Sequence, residues 1–120
     1  MTVGEIKREV MFQTNNDVDD LGDFEPYLMD YINDGYDRLM YQYKQEHAEN
    51  FKTDEDVPDL PEWTHRAIAD WATWLVYRNG NLQKQQRGVP FQSAFYDILG
   101  KISDQGGDKG IVKNFYNIPL

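Results

Sequence analysis

Asp59-Leu60-Pro61-Glu62-Trp63-Thr64-His65-Arg66-Ala67-Ile68-Ala69-Asp70-Trp71-Ala72-Thr73-Trp74-Leu75-Val76-Tyr77-Arg78-Asn79-Gly80 is the stretch that decides the fold. Trp63, Ala67, Trp71 and Leu75 recur every four residues, and Ile68 and Trp74 widen the same face. That period belongs to a helix and not to a strand. Pro61 suits the first turn, where its missing N–H has no helical partner to lose, and Asp59 precedes it as a candidate cap. Asn79-Gly80 is a stop signal. A helix this rich in apolar residues is expected to run through the middle of a helical core.

Toward the N-terminus, Thr2-Val3-Gly4-Glu5 fits a capping box, and Val3, Ile6 and Val10 fall on one helical face. This predicts a first helix over residues 3–12. Residues 15–23 form a polar, acidic break whose side chains compete with a helix for backbone hydrogen bonds. A second helix is expected from Phe24 or Glu25, with Pro26 in its first turn and Asp23 and Glu25 at the positive end of its dipole. Phe24, Leu28, Ile32, Leu39 and Tyr43 form its stripe, flanked by Tyr31 and Tyr36. Gly35 costs about 1 kcal/mol against Ala in a helix interior, and it can let a neighbouring helix approach closely. The helix should fade between Glu46 and Glu49. The break from His47 to Leu60 is longer than most connections in a compact domain, so it is either functional or flexible, unless the second helix runs on and shortens it.

Beyond Gly80, Phe91, Phe95, Ile98, Leu99 and Ile102 define a last helix with Pro90 near its start. The Gln-rich residues 81–87 could extend the third helix or the fourth, and periodicity does not decide between them. Residues 104–110 read as a flexible linker by composition. Ile111 to Leu120 are apolar, aromatic and β-prone, and such an end is expected to dock. It can pack on its own helices or add to a neighbouring subunit as a strand or arm. The expectation is therefore all-α: a small bundle of about four helices with long loops and an extended C-terminal arm. Residues 1–103 form the helical domain, and residues 104–120 the linker and arm.

With 120 residues, the chain is sized for one domain and one core. Its 3 Trp, 8 Tyr and 6 Phe are a large aromatic supply for that core, and Tyr and Trp also serve interfaces. The net charge of −9 disfavours binding to nucleic acid, which needs clustered Lys and Arg. It favours solubility or a basic partner. The absence of cysteine excludes disulfides, thiolate metal sites and thiol catalysis. Neither a signal peptide nor a membrane-spanning stretch is visible, so the expectation is a soluble protein made and used inside a cell, or inside a particle assembled there.

Catalytic patterns are missing too. Asp17, Asp19 and Gly22 match three positions of a calcium-binding loop, but Leu21 and Leu28 stand where ligands are required. His47 and His65 have no third ligand at a specifying distance. Ser93 and Ser103 lie outside any nucleophile elbow. Gly106, Gly107 and Gly110 lack the Lys-Ser/Thr of a phosphate loop. No catalytic residue, metal or cofactor is assigned. The second helix carries more tyrosines than one buried stripe can hold, so some must face solvent or a partner. The candidate interaction surface is therefore Tyr27, Tyr36 and Tyr41, with Phe115, Tyr116 and Ile118 from the arm.

The order of these features resembles the small helical head–tail connector proteins of tailed bacteriophages, also called head-completion or adaptor proteins. Val3-Gly4-Glu5-Ile6-Lys7 resembles their N-terminal start, residues 17–21 their acidic run, and Tyr31-Ile32 the helix that follows. Ala67 to Gly80 resembles their alanine-rich core helix, and Arg87-Gly88-Val89-Pro90-Phe91 leads into a last amphipathic helix. The resemblance covers roughly residues 2–102. Val10-Met11-Phe12 departs from it, standing where the family often carries a Leu-Arg pair.

The resemblance implies a structural virion protein and not an enzyme. Such subunits are made in the host bacterial cytoplasm and sit in the virion neck. They form a homo-oligomeric ring of about twelve beneath the portal protein, offer a surface to the tail or stopper protein, and let DNA pass without specific binding. No membrane is involved. A cytosolic helical adaptor that binds one protein partner is the alternative.

Overall fold

A computed structural model describes residues 1–14 and 25–105, the side chains of Glu25, Asp104 and Gln105 excepted. Among the described residues the fold is all-helical, with four α-helices and no strand. The C-terminal arm, with Phe115, Tyr116 and Ile118, and the acidic residues 17–21 lie outside the described residues.

Helix α1 (Val3–Gln13) starts in the expected capping box. The Thr2 hydroxyl accepts from the Glu5 N–H at 3.1 Å, and the Glu5 carboxylate accepts from the Thr2 N–H at 2.8 Å. Two donors that the helix itself cannot satisfy are thereby paired. Val3, Ile6 and Val10 are fully buried.

A 3₁₀ turn, Glu25–Tyr27, leads into helix α2 (Leu28–Lys44). Leu28, Ile32, Leu39 and Met40 face the core. The helix ends two residues before the expected fade, because Gln45 turns left-handed (φ 62°) and donates its N–H to the Tyr41 carbonyl at 2.8 Å. A side chain in that region is normally disfavoured, and here the turn is made without the usual glycine.

The long connection from α2 is pinned to the helices. Side chains of α2 accept its backbone N–H groups: Asp37 from Ala48 (2.8 Å), Asn33 from Phe51 (2.7 Å) and the Tyr36 hydroxyl from Asp59 (3.0 Å). Asp56 accepts from the N–H groups of Lys52 and Thr53, and these bonds hold its carboxyl below the usual carboxylate range. The Val3 and Gly4 N–H groups donate to the Asp56 and Asp54 carbonyls. The segment therefore ties α1 to α2, and Phe51 and Leu60 are buried within the core.

A second 3₁₀ turn, Glu62–Thr64, opens helix α3 (His65–Arg78). Two expectations are corrected here. Asp59 does not cap the helix: its N–H is held by Tyr36 and its carboxylate lies 3.4 Å from Lys44. Trp63 falls in the 3₁₀ turn and is 43% exposed, off the buried face. The central position of α3 is as expected, since eleven of its residues are buried.

Helix α4 (Leu82–Gln105) absorbs the Gln-rich segment and carries Pro90 in its interior, not near its start. Asn81 caps it, its side-chain oxygen accepting from the Lys84 N–H at 3.0 Å. Pro90 removes the bond that the Gln86 carbonyl would have received, and both residues are exposed, so water can satisfy that carbonyl.

Helix α3 is the hub, packing most extensively on α4, then on α2 and α1. Two glycines set the closest approaches. A Cβ on Gly35 would lie 3.2 Å from the Trp71 side chain, and one on Gly88 would lie 2.7 Å from the Tyr77 Cβ and 2.8 Å from the Trp74 ring. The close-packing role expected of Gly35 is thus realised against Trp71. That indole also packs on Phe95 of α4, with ring centroids 4.6 Å apart.

Candidate functional site

The outward face of α2 is set by its heptad-like spacing. Tyr27, Asp30, Asp34, Asp37 and Tyr41 follow at intervals of three and four, which places them on one side of the helix axis. Tyr27 is 54% exposed and Tyr41 48%, so two of the expected tyrosines do lie at the surface. Tyr36 does not. It is 5% exposed, stacked on Phe51 with centroids 4.3 Å apart, and its hydroxyl holds the Asp59 N–H. The long connection covers it, so Tyr36 belongs to the core and not to the interaction surface.

Between the exposed tyrosines lies an open acidic depression of about 380 Å³, lined by Asp30, Asn33, Asp34, Asp37, His47, Ala48 and Asn50. Its carboxylates have structural work. Asp34 accepts from the Trp71 indole N–H (2.7 Å) and from Arg38 (2.8 Å), whose guanidinium lies 4.7 Å above the indole centroid. Asp37 accepts from the Ala48 N–H and from His47 Nδ1 (3.2 Å), and His47 stacks on Tyr41. These bonds brace α2 against α3 and the connection. The depression itself stays open at the surface.

A second exposed region lies on α4. Gly88, Phe95 and Ile102 are buried at seven-residue spacing; Val89 and Tyr96, each next to one of them, continue the seven-residue spacing from Leu82 as a parallel exposed stripe. Leu82 is 69% exposed. Toward the end of α4 the stripe borders an open groove of about 570 Å³ lined by Gln42, Tyr96, Leu99 and Lys101, among others. A third region is the end of α1, where Met11 and Phe12 are exposed, Phe12 by 72%. The sequence reading missed both apolar regions. The signal was present: Leu82, Val89 and Tyr96 sit beside the buried stripe, and Met11-Phe12 follows Val10 off the buried face.

The remaining polar side chains are held inside the fold. His65 is buried. With its Nε2 proton donated to the Leu60 carbonyl (2.8 Å), its Nδ1 accepts from the Met1 ammonium (2.9 Å). That ammonium also donates to Glu62, which lowers the Glu62 pKa. Between α1 and α3, Gln13 donates to Asp70 (2.9 Å) and accepts from Thr73, while Arg66 pairs with Glu9 (2.7 Å). Burial raises the Asp70 pKa, with Gln13 and Arg66 opposing that rise. Among the described residues, no group of three His, Asp or Glu is placed to hold a metal ion, and no helix is long and apolar enough to cross a membrane.

The arrangement offers three outward surfaces of different chemistry: an acidic face with tyrosines at its ends on α2, and apolar patches on α1 and α4. No protein-family model, curated protein or solved structure matches the chain.

Proposed function

We propose that this chain is a structural subunit of a ring, the head–tail connector of a tailed bacteriophage. In that role it would sit beneath the portal, extend the DNA channel and present an attachment surface to the tail or stopper. The observation that carries this reading is the pair of separate apolar patches. Helices α1 and α4 each pack on α3, and little contact joins them to one another. Their exposed residues, Met11 and Phe12 on one side and Leu82, Val89 and Tyr96 on the other, are therefore two distinct surfaces. A closed ring needs such a pair, because each subunit meets its neighbours through two different faces. A lone exposed apolar residue needs no explanation, but patches on two flanks do.

The acidic face of α2 suits a channel wall. Carboxylates repel phosphates, so DNA would slide past without sticking. The chemistry asked of the chain is none, and the reading treats it as a non-enzyme. Its place would be the virion neck after synthesis in the bacterial cytoplasm.

The test is co-sedimentation of the purified chain with portal-bearing capsids of the virus that encodes it. Binding that is lost in both Phe12→Glu and Val89→Glu supports a ring subunit. Binding that depends on one patch alone favours the other reading, an adaptor that takes a single protein partner. No binding by the unmodified chain contradicts the connector assignment.

A further inference from the structure

We infer that Asn79-Gly80 is a latent modification site: a place for succinimide formation that the closed turn between α3 and α4 keeps unreactive and that becomes reactive when the turn opens. The inference stands independently of ring formation.

The chemistry starts from the sequence. Asn79 is the only asparagine of the chain that a glycine follows. In such a pair the backbone nitrogen of the glycine attacks the side-chain amide carbon, Cγ, of the asparagine. The new N–Cγ bond closes a succinimide ring. The proton lost by the attacking nitrogen passes through water to the departing amide nitrogen, and the Cγ–Nδ2 bond breaks to release ammonia. Water then opens the ring at either carbonyl and leaves aspartate or isoaspartate. No metal or second protein takes part. Glycine favours the step because it has no Cβ to shield its nitrogen or to restrict the rotation that brings nitrogen and Cγ together.

Asn79 is exposed, so exclusion of water does not protect it. Hydrogen bonds do. The Gly80 N–H donates to the Tyr77 carbonyl at 3.0 Å, so the attacking nitrogen is occupied. The Asn79 side-chain amide donates to the Leu75 carbonyl, one turn back, at 2.8 Å and to the Tyr31 hydroxyl of α2 at 3.2 Å. These two bonds hold the side chain against the rotation that attack needs. Gln85 of α4 donates its side-chain amide to the Arg78 carbonyl (3.2 Å) and to the Gly80 carbonyl (3.1 Å), so the peptide groups before and after the pair are pinned as well. The backbone of Asn79 stays helical, with φ −82° and ψ −1°. Attack therefore requires a local opening that breaks several of these bonds together, and its rate reports how often the turn opens.

The product does not close the turn again in the same way. A carboxylate at position 79 has no proton to offer the Leu75 carbonyl. Its negative charge also stands at the negative end of the α3 dipole. The modified turn is weaker than the original, so each modification is a one-way record of an opening at the joint that sets α4 on α3.

The experiment is incubation of the full chain at mildly alkaline pH, with peptide mass spectrometry following the conversion of the Asn79 amide to carboxylate over time. The urea-unfolded chain should convert at least about tenfold faster than the folded chain. In the folded state, Tyr31→Phe should speed conversion about fivefold, the effect of one lost hydrogen bond. Gln85→Ala should act in the same direction, and serves alone if circular dichroism shows that Tyr31→Phe has lost its helices. Gly80→Ala should suppress conversion in urea and in buffer; its methyl group would meet only the flexible Lys84 side chain. Thr2→Ala weakens the fold at its far end and should leave the folded rate unchanged. Equal rates for the folded and the unfolded chain would overturn the proposal. So would a folded rate that neither Tyr31→Phe nor Gln85→Ala raises, or one that Thr2→Ala raises as much as they do, because protection would then come from the whole fold and not from this turn.

Discussion

Helices α3 and α4 each carry three aromatic residues, Trp71, Trp74 and Tyr77 on one and Phe91, Phe95 and Tyr96 on the other. Yet α3 is buried nearly all round, while α4 buries only a line of residues seven apart and leaves a parallel apolar line open. Helix α3 has neighbours on three sides, whereas α4 rests chiefly on α3 and, to a lesser extent, on α2. The difference teaches that apolar content does not decide burial. The number of elements around a helix does, and α3 therefore supplies stability while α4 supplies surface.

Truncation should separate the two helices most strongly. Trp71→Ala removes the indole that Asp34, Arg38, Gly35 and Phe95 all contact, and should cost about 3–5 kcal/mol. Val89→Ser on α4 should stay within about 0.5 kcal/mol, as exposed positions do. Urea denaturation of both variants checks the contrast, and similar costs would break it.

The interface between the two helices is tight at one place. Gly88→Ala gains about 1 kcal/mol of helix propensity. Its new methyl group would stand 2.7 Å from the Tyr77 Cβ, too near the backbone to give way, and such overpacking costs about 1–3 kcal/mol. A lowered thermal midpoint is therefore expected, and a raised one would show that α4 is free to move off α3.

Smaller effects lie away from that interface. Thr2→Ala removes one half of the capping box and should cost about 1 kcal/mol by urea denaturation, leaving the α4 stripe untouched.

The buried polar contact of α3 should appear in the pH dependence of stability. Asp70 has its pKa raised by burial, so between its unfolded and folded values the native state holds more protons than the unfolded state. Its contribution to stability therefore falls as pH rises through that window, from just above the ordinary carboxylate value of 3.8 upward. Asp70→Asn keeps an oxygen to accept from Gln13 and should flatten that slope in pH-resolved melts. An unchanged slope would assign the pH dependence to other carboxylates.

Local signals were legible in the sequence. The Thr2–Glu5 box, the α1 face and the core position of α3 depend on residues within a turn or two of each other. The misreadings were non-local. Tyr36 looks like a surface tyrosine until Phe51, fifteen residues on, is folded over it. Asp59 looks like a cap until Tyr36 claims its N–H. Pro90 looks like a helix start because a proline inside a helix loses a bond, and that loss is tolerated where the freed carbonyl reaches water. The early end of α2 has no glycine to announce it, since Gln45 takes the left-handed turn itself. The apolar stripe of α4 is written in the sequence, but its exposure follows only from which flank of α3 each helix occupies.

The most direct measurement of the central claim, that α1 and α4 present two complementary faces, is sedimentation velocity of Phe12→Glu and Val89→Glu chains, alone and mixed, at rising concentration beside the unmodified chain. The expected result is growing assemblies for the unmodified chain, monomers for each variant alone, and arrest at a dimer for the mixture, where one intact face of each kind remains. A mixture that stays monomeric while the unmodified chain assembles, or variants that assemble as it does, would contradict the claim.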